Sequence, residues 1–177
     1  MSDDRDRERQ GFRVIRGGLK DDPQARDSVQ IVMGPRAEPP FPIDALVREE
    51  DTYLVLSGEP GANEQGSDHP IRVMTALLDV EPKPPGTIVV RERTPLEILA
   101  IVHDLGEEPT WNEGWVTDAL VAVVGETERR ELSHVGLETL GAVHGGLGRP
   151  RFLQLLRHAL RRADPRHLEK VWIIAPE

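Results

Sequence analysis

The chain has 177 residues and a formal net charge of −9, with no cysteine. This length predicts one domain with an ordinary core, and the missing cysteine excludes disulfides, thiol catalysis and cysteine metal sites. The acidic balance argues against a nucleic-acid binder, which works through a basic face. No apolar stretch reaches the roughly 18 residues of a membrane span, and no signal peptide is apparent. We therefore expect a cytoplasmic protein with neither nucleic acid nor membrane as a partner.

Residues 1–11 are charged and polar, and we predict that they are disordered or frayed, whereas residues 12–177 form a single domain. Runs of β-branched and apolar residues between turn residues are typical of strands. The predicted strands are FRVI (12–15), VQIVMG (29–34), IDALV (43–47), TYLVLS (52–57), GTIVVRE (86–92), LEILAIVHDL (96–105), HVGLETL (134–140) and KVWIIAP (170–176). IDALV and TYLVLS, separated by the acidic REED, are either a hairpin or consecutive strands. LEILAIVHDL is expected to begin irregularly.

Apolar residues spaced by three and four predict helices over residues 69–80, 113–130 and 149–163. The second helix has the stripe Trp115, Ala119, Leu120, Val123 and Val124, and the third has Phe152, Leu155, Leu156, Ala159 and Leu160. In the second half of the chain strands alternate with helices, which indicates a substantially parallel sheet. In the first half strands follow one another more closely, which suggests a mixed sheet. The predicted class is α/β, with a mixed sheet flanked by helices on both faces.

The stretch LGAVHGGLG (140–148) lies between a predicted strand and a predicted helix. In an open α/β sheet this is the edge at which ligands bind. Glycines let main-chain N–H groups approach a ligand, and a following helix N-terminus favours anions. The stretch matches neither a Walker A motif nor a GxGxxG fingerprint. Two interpretations remain open, a phosphate-binding loop and a plain tight turn.

Few side chains are candidates for chemistry. His144 can donate to a ligand oxygen or act as a general acid or base, and Asn63, in a polar loop over residues 58–68, can supply a catalytic amide. His103 is predicted to be a core histidine held by a partner. His69, His103 and His144 with the acidic residues 49–51 can in principle bind a metal, but no pair has a metal-ligand spacing, so we predict neither metal nor cofactor.

From about residue 29 to residue 176 the chain resembles the macro-domain family. IDALV resembles an early family strand, and PGTIVVRERTPLEILAIVHDL followed by PTW (109–111) resembles a glycine-led strand, a strand ending in Ile-His and a Pro-x-Trp segment. HVGLETLGAVHGGLG resembles the strand and loop that hold the pyrophosphate and distal ribose of ADP-ribose, and KVWIIAP resembles the closing strand. The resemblance implies a three-layer macro-domain-like fold. It also implies ligand contacts from Gly141, Ala142, Val143, His144, Gly145 and Gly146, with Ser57, Gly58 and Gly61 across the cleft.

The chain departs from the family pattern at two places. Pro35 stands where the family has an acidic residue that contacts adenine, and residues 48–51 (REED) replace an asparagine-rich loop that often serves hydrolysis. The resemblance therefore implies binding of ADP-ribose or a related nucleotide diphosphate and leaves catalysis unassigned. The alternative is a macro-like scaffold that has lost the nucleotide site and binds a protein partner.

Overall fold

The structure, a computed structural model, describes residues 13–15, 29–56 and 81–175, the first range by its backbone alone. Its strands are β1 (Arg13–Ile15), β2 (Gln30–Pro35), β3 (Ala45–Asp51), β4 (Ile88–Arg91), β5 (Leu96–His103), β6 (His134–Glu138) and β7 (Lys170–Ala175). Its helices are α1 (Glu113–Arg129) and α2 (Arg149–Ala163). The predicted N-terminal tail, the polar loop 58–68 and the helix 69–80 lie outside the described residues. Neither α1 nor α2 is long and apolar enough to cross a membrane.

The seven strands form one sheet in the order β1-β2-β7-β6-β3-β5-β4. From β2 to β5 every neighbouring pair is parallel, whereas β1 and β4 add to the two edges antiparallel. The predicted α/β class with a mixed sheet is confirmed. Because the five central strands run in one direction, their carboxyl ends meet along one edge, which we call the carboxyl edge.

One hydrophobic cluster joins alternate residues of the central strands to the apolar sides of α1 and α2. Ala45 and Val47 of β3 point into it, and Phe152 of α2 is fully buried. The predicted stripes are confirmed with small changes, since Val116 is buried where Trp115 was expected, and Leu160 is only half-buried. The two helices pack against each other over this face. Helical cover of the opposite face stays a prediction, because residues 69–80 are not described.

The predicted strand IDALV (43–47) is confirmed from Ala45 onward, whereas the predicted division of residues 43–57 into two strands is wrong. The acidic REED does not separate two strands. It is the second half of β3, and of TYLVLS the described residues 52–56 form turns and bends instead of a strand. A register shift between Glu50 and Asp51 marks where β3 stops pairing regularly with β5. The predicted irregular start of β5 is wrong, because β5 pairs regularly with β3 from Leu96 onward.

The chain turns after β3 because two carboxylates accept its main-chain N–H groups. The Asp51 carboxylate accepts from the N–H groups of Tyr53 (2.6 Å), Val55 (2.9 Å) and Leu56 (3.0 Å). Oε1 of Glu50 accepts from the N–H groups of Asp51 (3.0 Å) and Leu56 (2.7 Å). Aspartate commonly bonds the main chain just beyond itself in this way, and a segment held so has no N–H left for a sheet ladder.

Candidate functional site

The glycine-rich loop (residues 141–146) joins β6 to α2 at the carboxyl edge, where the sequence predicted it. Gly141 and Gly146 have φ values of +73° and +71°, a region that favours glycine. The loop is closed by a hydrogen bond of 2.8 Å from the Leu147 N–H to the Gly141 carbonyl. In the described part of the chain, the N–H groups of residues 143–146 donate no hydrogen bond. They are free to contact a ligand.

Two neighbouring glycines of the loop are required for different reasons. A Cβ atom on Gly145 would lie 2.6 Å from the ring of Trp111 and 2.7 Å from the Gly141 carbonyl oxygen, so that position admits only glycine. A Cβ atom on Gly146 would meet no described residue within 4 Å. Trp111 thus packs against the loop at Gly145. The side of Gly146 faces open space.

Helix α2 begins directly after the loop. Its N-cap is Gly148, which supplies no side-chain hydrogen bond, and Pro150 lies in the first turn. The first N–H groups of a helix lack intrahelical partners and carry partial positive charge. The loop and the start of α2 together therefore present main-chain donors of one polarity.

Glu49 lies beside the loop and contacts two histidines. Its side chain is 8% exposed, and its Oε2 accepts the Gly141 N–H at 2.8 Å. The same oxygen lies 3.6 Å from Nε2 of His103, and Oε1 lies 3.7 Å from Nε2 of His144. The two imidazole rings stand edge to face with centroids 5.6 Å apart. We call Glu49, His103 and His144 the carboxylate–imidazole cluster.

The two histidines of the cluster differ in exposure. His103 is 1% exposed, which confirms that it is a core histidine. Its Nε2 lies 3.6 Å from Glu49. The neighbouring Asp104 instead accepts the Gly106 N–H. His144 is half-exposed. Nε2 of His103 and Oε1 of Glu49 are buried and have no hydrogen-bond partner among the residues that the structure describes. Buried polar atoms are rarely left so, and they are concentrated at sites that bind water, protons or ligands.

A cleft of about 280 Å³ opens beside this cluster. It is lined by Arg36, Glu49, Glu138, Thr139, Val143, Ile174 and Ala175. All of these lie at or just beyond the carboxyl ends of β2, β3, β6 and β7. The cleft therefore occupies the position at which α/β sheets bind ligands.

An ionic row crosses the sheet from the cleft. Glu138 is paired with both Arg36 and Arg48, and Arg48 also lies 3.5 Å from Glu97. Glu97 is paired in turn with Arg91 at the edge strand. Each of these two carboxylates is shared by at least two guanidinium groups, so the row itself carries a net positive charge. The sequence analysis missed Arg36 and Glu138; their positions just after β2 and at the end of β6 were the available signal.

The structure brings together only part of the predicted site. Gly141, Ala142, Val143, His144, Gly145 and Gly146 lie in one loop beside the cleft. Ser57, Gly58, Gly61 and the candidate amide Asn63 lie outside the described residues. Glu50 and Asp51 do not face a ligand, because their carboxylates hold the turn after β3. No group of three histidine, aspartate or glutamate side chains within the described ranges has the geometry to hold a metal ion.

The fold is similar to that of several macrodomains among solved structures. The macrodomain of Thermus aquaticus DarG is similar at a TM-score of 0.56 and 21% identity, over 84% of this chain and 99% of that one. The Oceanobacillus iheyensis macrodomain with ADP has a TM-score of 0.61 and 12% identity, over 93% of this chain and 88% of that one. No family model and no curated protein matches the chain. The chain has the macrodomain fold, which confirms the resemblance at that level.

A further neighbour is a variant of the Oceanobacillus iheyensis macrodomain with ADPR. It has a TM-score of 0.59 and 11% identity, over 93% of this chain and 91% of that one. At such identities the likeness concerns the fold, because function depends on the side chains of a site. Macrodomains of this fold are thus known with ADP or ADPR bound.

Proposed function

We propose that the protein binds ADP-ribose or a related nucleotide diphosphate in the cleft at the carboxyl edge of its sheet. The observation that carries the proposal is the loop 141–146, whose four N–H groups from Val143 to Gly146 have no partner in the described part of the chain. Consecutive free N–H groups ahead of a helix N-terminus favour a phosphate. The macrodomain neighbours with ADP and ADPR support the choice of ligand.

Two guanidinium groups favour an anion at the Glu138 side of the cleft. Arg36 is about half-exposed and Arg48 about one-third exposed, and both guanidinium groups flank Glu138. A guanidinium presents several N–H donors in one plane, and its partner carboxylate does not use all of them. Hydrolysis is not part of this proposal, because Asp51 and Glu50 of the acidic segment are committed to the turn after β3.

A calorimetric titration with ADP-ribose tests the proposal, with Val143→Glu as the test variant. Val143 is 68% exposed and lines the cleft, so a carboxylate there leaves the core intact and repels a diphosphate. We expect measurable binding for the natural chain and at least about tenfold weaker binding for the variant, since about 1.4 kcal/mol of repulsion gives that factor.

Leu105→Glu is the matched control. Leu105 is also an exposed apolar residue at the carboxyl edge, at 57% exposure, but it does not line the cleft. It should bind ADP-ribose as the natural chain does. AMP, which lacks the diphosphate, should bind more weakly than ADP-ribose. A folded natural chain that gives no heat with ADP-ribose would overturn the proposal.

A second candidate function is protein binding through the same edge. Among described residues, the large apolar side chains with the greatest exposure are Tyr53, Val55, Leu105 and Val143. They follow the carboxyl ends of β3, β5 and β6 and so gather at one edge. Exposed apolar groups that cluster favour a macromolecular contact. The titration separates the two candidates, because a protein-binding scaffold without a nucleotide site gives no heat with ADP-ribose.

A further inference from the structure

Glu49 puts a negative charge on the wall of a cleft for which an anionic ligand is proposed. Its carboxylate is more than nine-tenths buried, and it reaches the cleft as one of the lining side chains. Water screens a buried charge poorly, so a diphosphate near Glu49 is repelled unless a cation stands between them. In the described part of the chain, the nearest groups able to become cationic are the imidazoles of His103 and His144.

One oxygen of the cluster is left without a hydrogen-bond partner among the described residues. Oε2 of Glu49 accepts the Gly141 N–H, whereas the buried Oε1 accepts no hydrogen bond from them. Oε1 faces Nε2 of His144 at 3.7 Å. A neutral imidazole has one N–H, whereas an imidazolium has two. A protonated His144 can therefore donate to Glu49 through Nε2 and still offer its second N–H to a ligand oxygen.

The other charged groups around the cluster already form hydrogen bonds or ion pairs. Asp104, next to His103, bonds the Gly106 N–H, and Asp51 bonds the turn after β3. Glu138 on β6 is paired with Arg36 and Arg48. Glu50 likewise bonds main-chain N–H groups. A change of charge at this end of the cleft thus falls on the carboxylate–imidazole cluster.

We propose that the cleft takes up its diphosphate ligand together with a proton, which His144 holds between Glu49 and the ligand. This inference rests on the proposed binding of ADP-ribose. No covalent bond is made or broken: the proton comes from the solvent or buffer, His144 becomes an imidazolium, and its positive charge offsets Glu49 beside the ligand. Histidine is suited to this role, because it is the side chain that changes charge between about pH 5 and pH 8.

Proton uptake is measured by titrating ADP-ribose calorimetrically in two buffers of different ionisation enthalpy, at about pH 7.5, where free histidine is mostly neutral. The observed heats should differ by the difference in buffer enthalpy multiplied by the protons taken up. We expect an uptake approaching one proton per ligand. The dissociation constant should then rise with pH, by up to about tenfold per unit, because ligand and proton bind together.

Three variants assign the proton. His144→Asn should abolish most of the uptake and flatten the pH dependence of the dissociation constant. His134→Asn is the matched control, because His134 forms a similar pair with Glu169, at 3.7 Å, but at the opposite end of β6. It should leave the uptake unchanged. Glu49→Gln keeps an acceptor for the Gly141 N–H and removes the charge; it should reduce the uptake and bind more tightly than the natural chain at high pH.

The outcomes distinguish this inference from the function on which it rests. If ADP-ribose binds with equal heats in both buffers and a constant affinity across pH, the ligand is bound without a proton and the inference is wrong. If uptake persists in His144→Asn, the proton is not on His144 and the inference is also wrong. If ADP-ribose gives no heat even at about pH 6, where histidine is largely protonated, the proposed function itself fails.

Discussion

Gly145 and Gly146 show how one short loop meets two demands. Gly145 makes room for the ring of Trp111, which would lie 2.6 Å from a Cβ atom, so it is explained by packing. Gly146 has open space beside it and a φ of +71°, so it is explained by the path of the backbone. The two explanations considered from the sequence, a tight turn and a close approach to a ligand, are therefore compatible within one loop.

Alanine substitutions at three glycines should separate packing from backbone strain. Gly145→Ala should destabilise the protein by about 2 kcal/mol, because the Trp111 ring must move. Gly146→Ala should cost about 1 kcal/mol for its left-handed conformation alone. Gly125→Ala is the control: it lies within α1 with nothing near its Cβ position, and it should stabilise by about 1 kcal/mol.

Free energies of unfolding from denaturant titration give all three values. We expect Gly125→Ala to be more stable than the natural chain. Gly146→Ala should be less stable than the natural chain, and Gly145→Ala the least stable of the four proteins. A Gly145→Ala protein as stable as the natural chain would contradict the packing of Trp111 against the loop.

At the scale of elements, periodicity predicted the two described helices and most of the described strands. Helix α2 begins and ends at the predicted residues, because its apolar positions recur at helical spacing and glycine and proline stand at its start. The end of β3 could not be predicted in the same way. REED looks like a polar break, yet Glu50 and Asp51 are buried, since their carboxylates are satisfied by main-chain N–H groups of the next turn. Hydropathy carries no information about such partners.

The loop of the candidate site was predictable from the sequence, whereas the cluster of side chains beside it was not. Loop 141–146 follows a strand and precedes a helix, and four glycines in LGAVHGGLG mark it in the sequence. The meeting of Glu49, His103 and His144 depends on the order of β3, β5 and β6 in the sheet. A sheet order brings together residues that are 41 or more positions apart, which local patterns do not reveal.

The carboxyl end of α1 makes a prediction about acid stability. The hydrogen bond from Arg129 lowers the pKa of Glu126 to about 2, with Arg130 contributing in the same direction. A carboxylate whose pKa is lowered in the folded state stabilises the protein above its unfolded pKa, and this contribution is lost as the pH falls. Stability should therefore decline between about pH 4.5 and pH 2 as Glu126 takes up a proton.

Glu126→Gln should remove that part of the decline. The variant is expected to be less stable than the natural chain at neutral pH and to approach it as the pH falls through about 2, where Glu126 of the natural chain loses its charge. Thermal unfolding followed across this range measures the effect. Parallel curves for the two proteins, with a constant offset at every pH, would show that the ion pairs of Glu126 contribute nothing to acid sensitivity.

On the scale of the whole molecule, the candidate site of this acidic chain lies at the carboxyl edge of its sheet. The net charge is −9, yet the cleft at that edge is lined by Arg36 and by Val143 of the glycine-rich loop, and two histidines lie beside Glu49 in its wall. Long-range repulsion of an anion by the rest of the surface is screened within about 10 Å at ordinary salt. The local donors therefore decide whether a diphosphate is held.

The central claim is that the N–H groups of residues 143–146 bind the diphosphate. The most direct measurement is an NMR titration of the isotope-labelled chain with ADP-ribose, following each backbone amide. The account predicts large shifts for these four amides and little change at His134, which lies at the other end of β6. Saturable binding that leaves the four amides unmoved while shifting others would contradict it and place the ligand elsewhere on the protein.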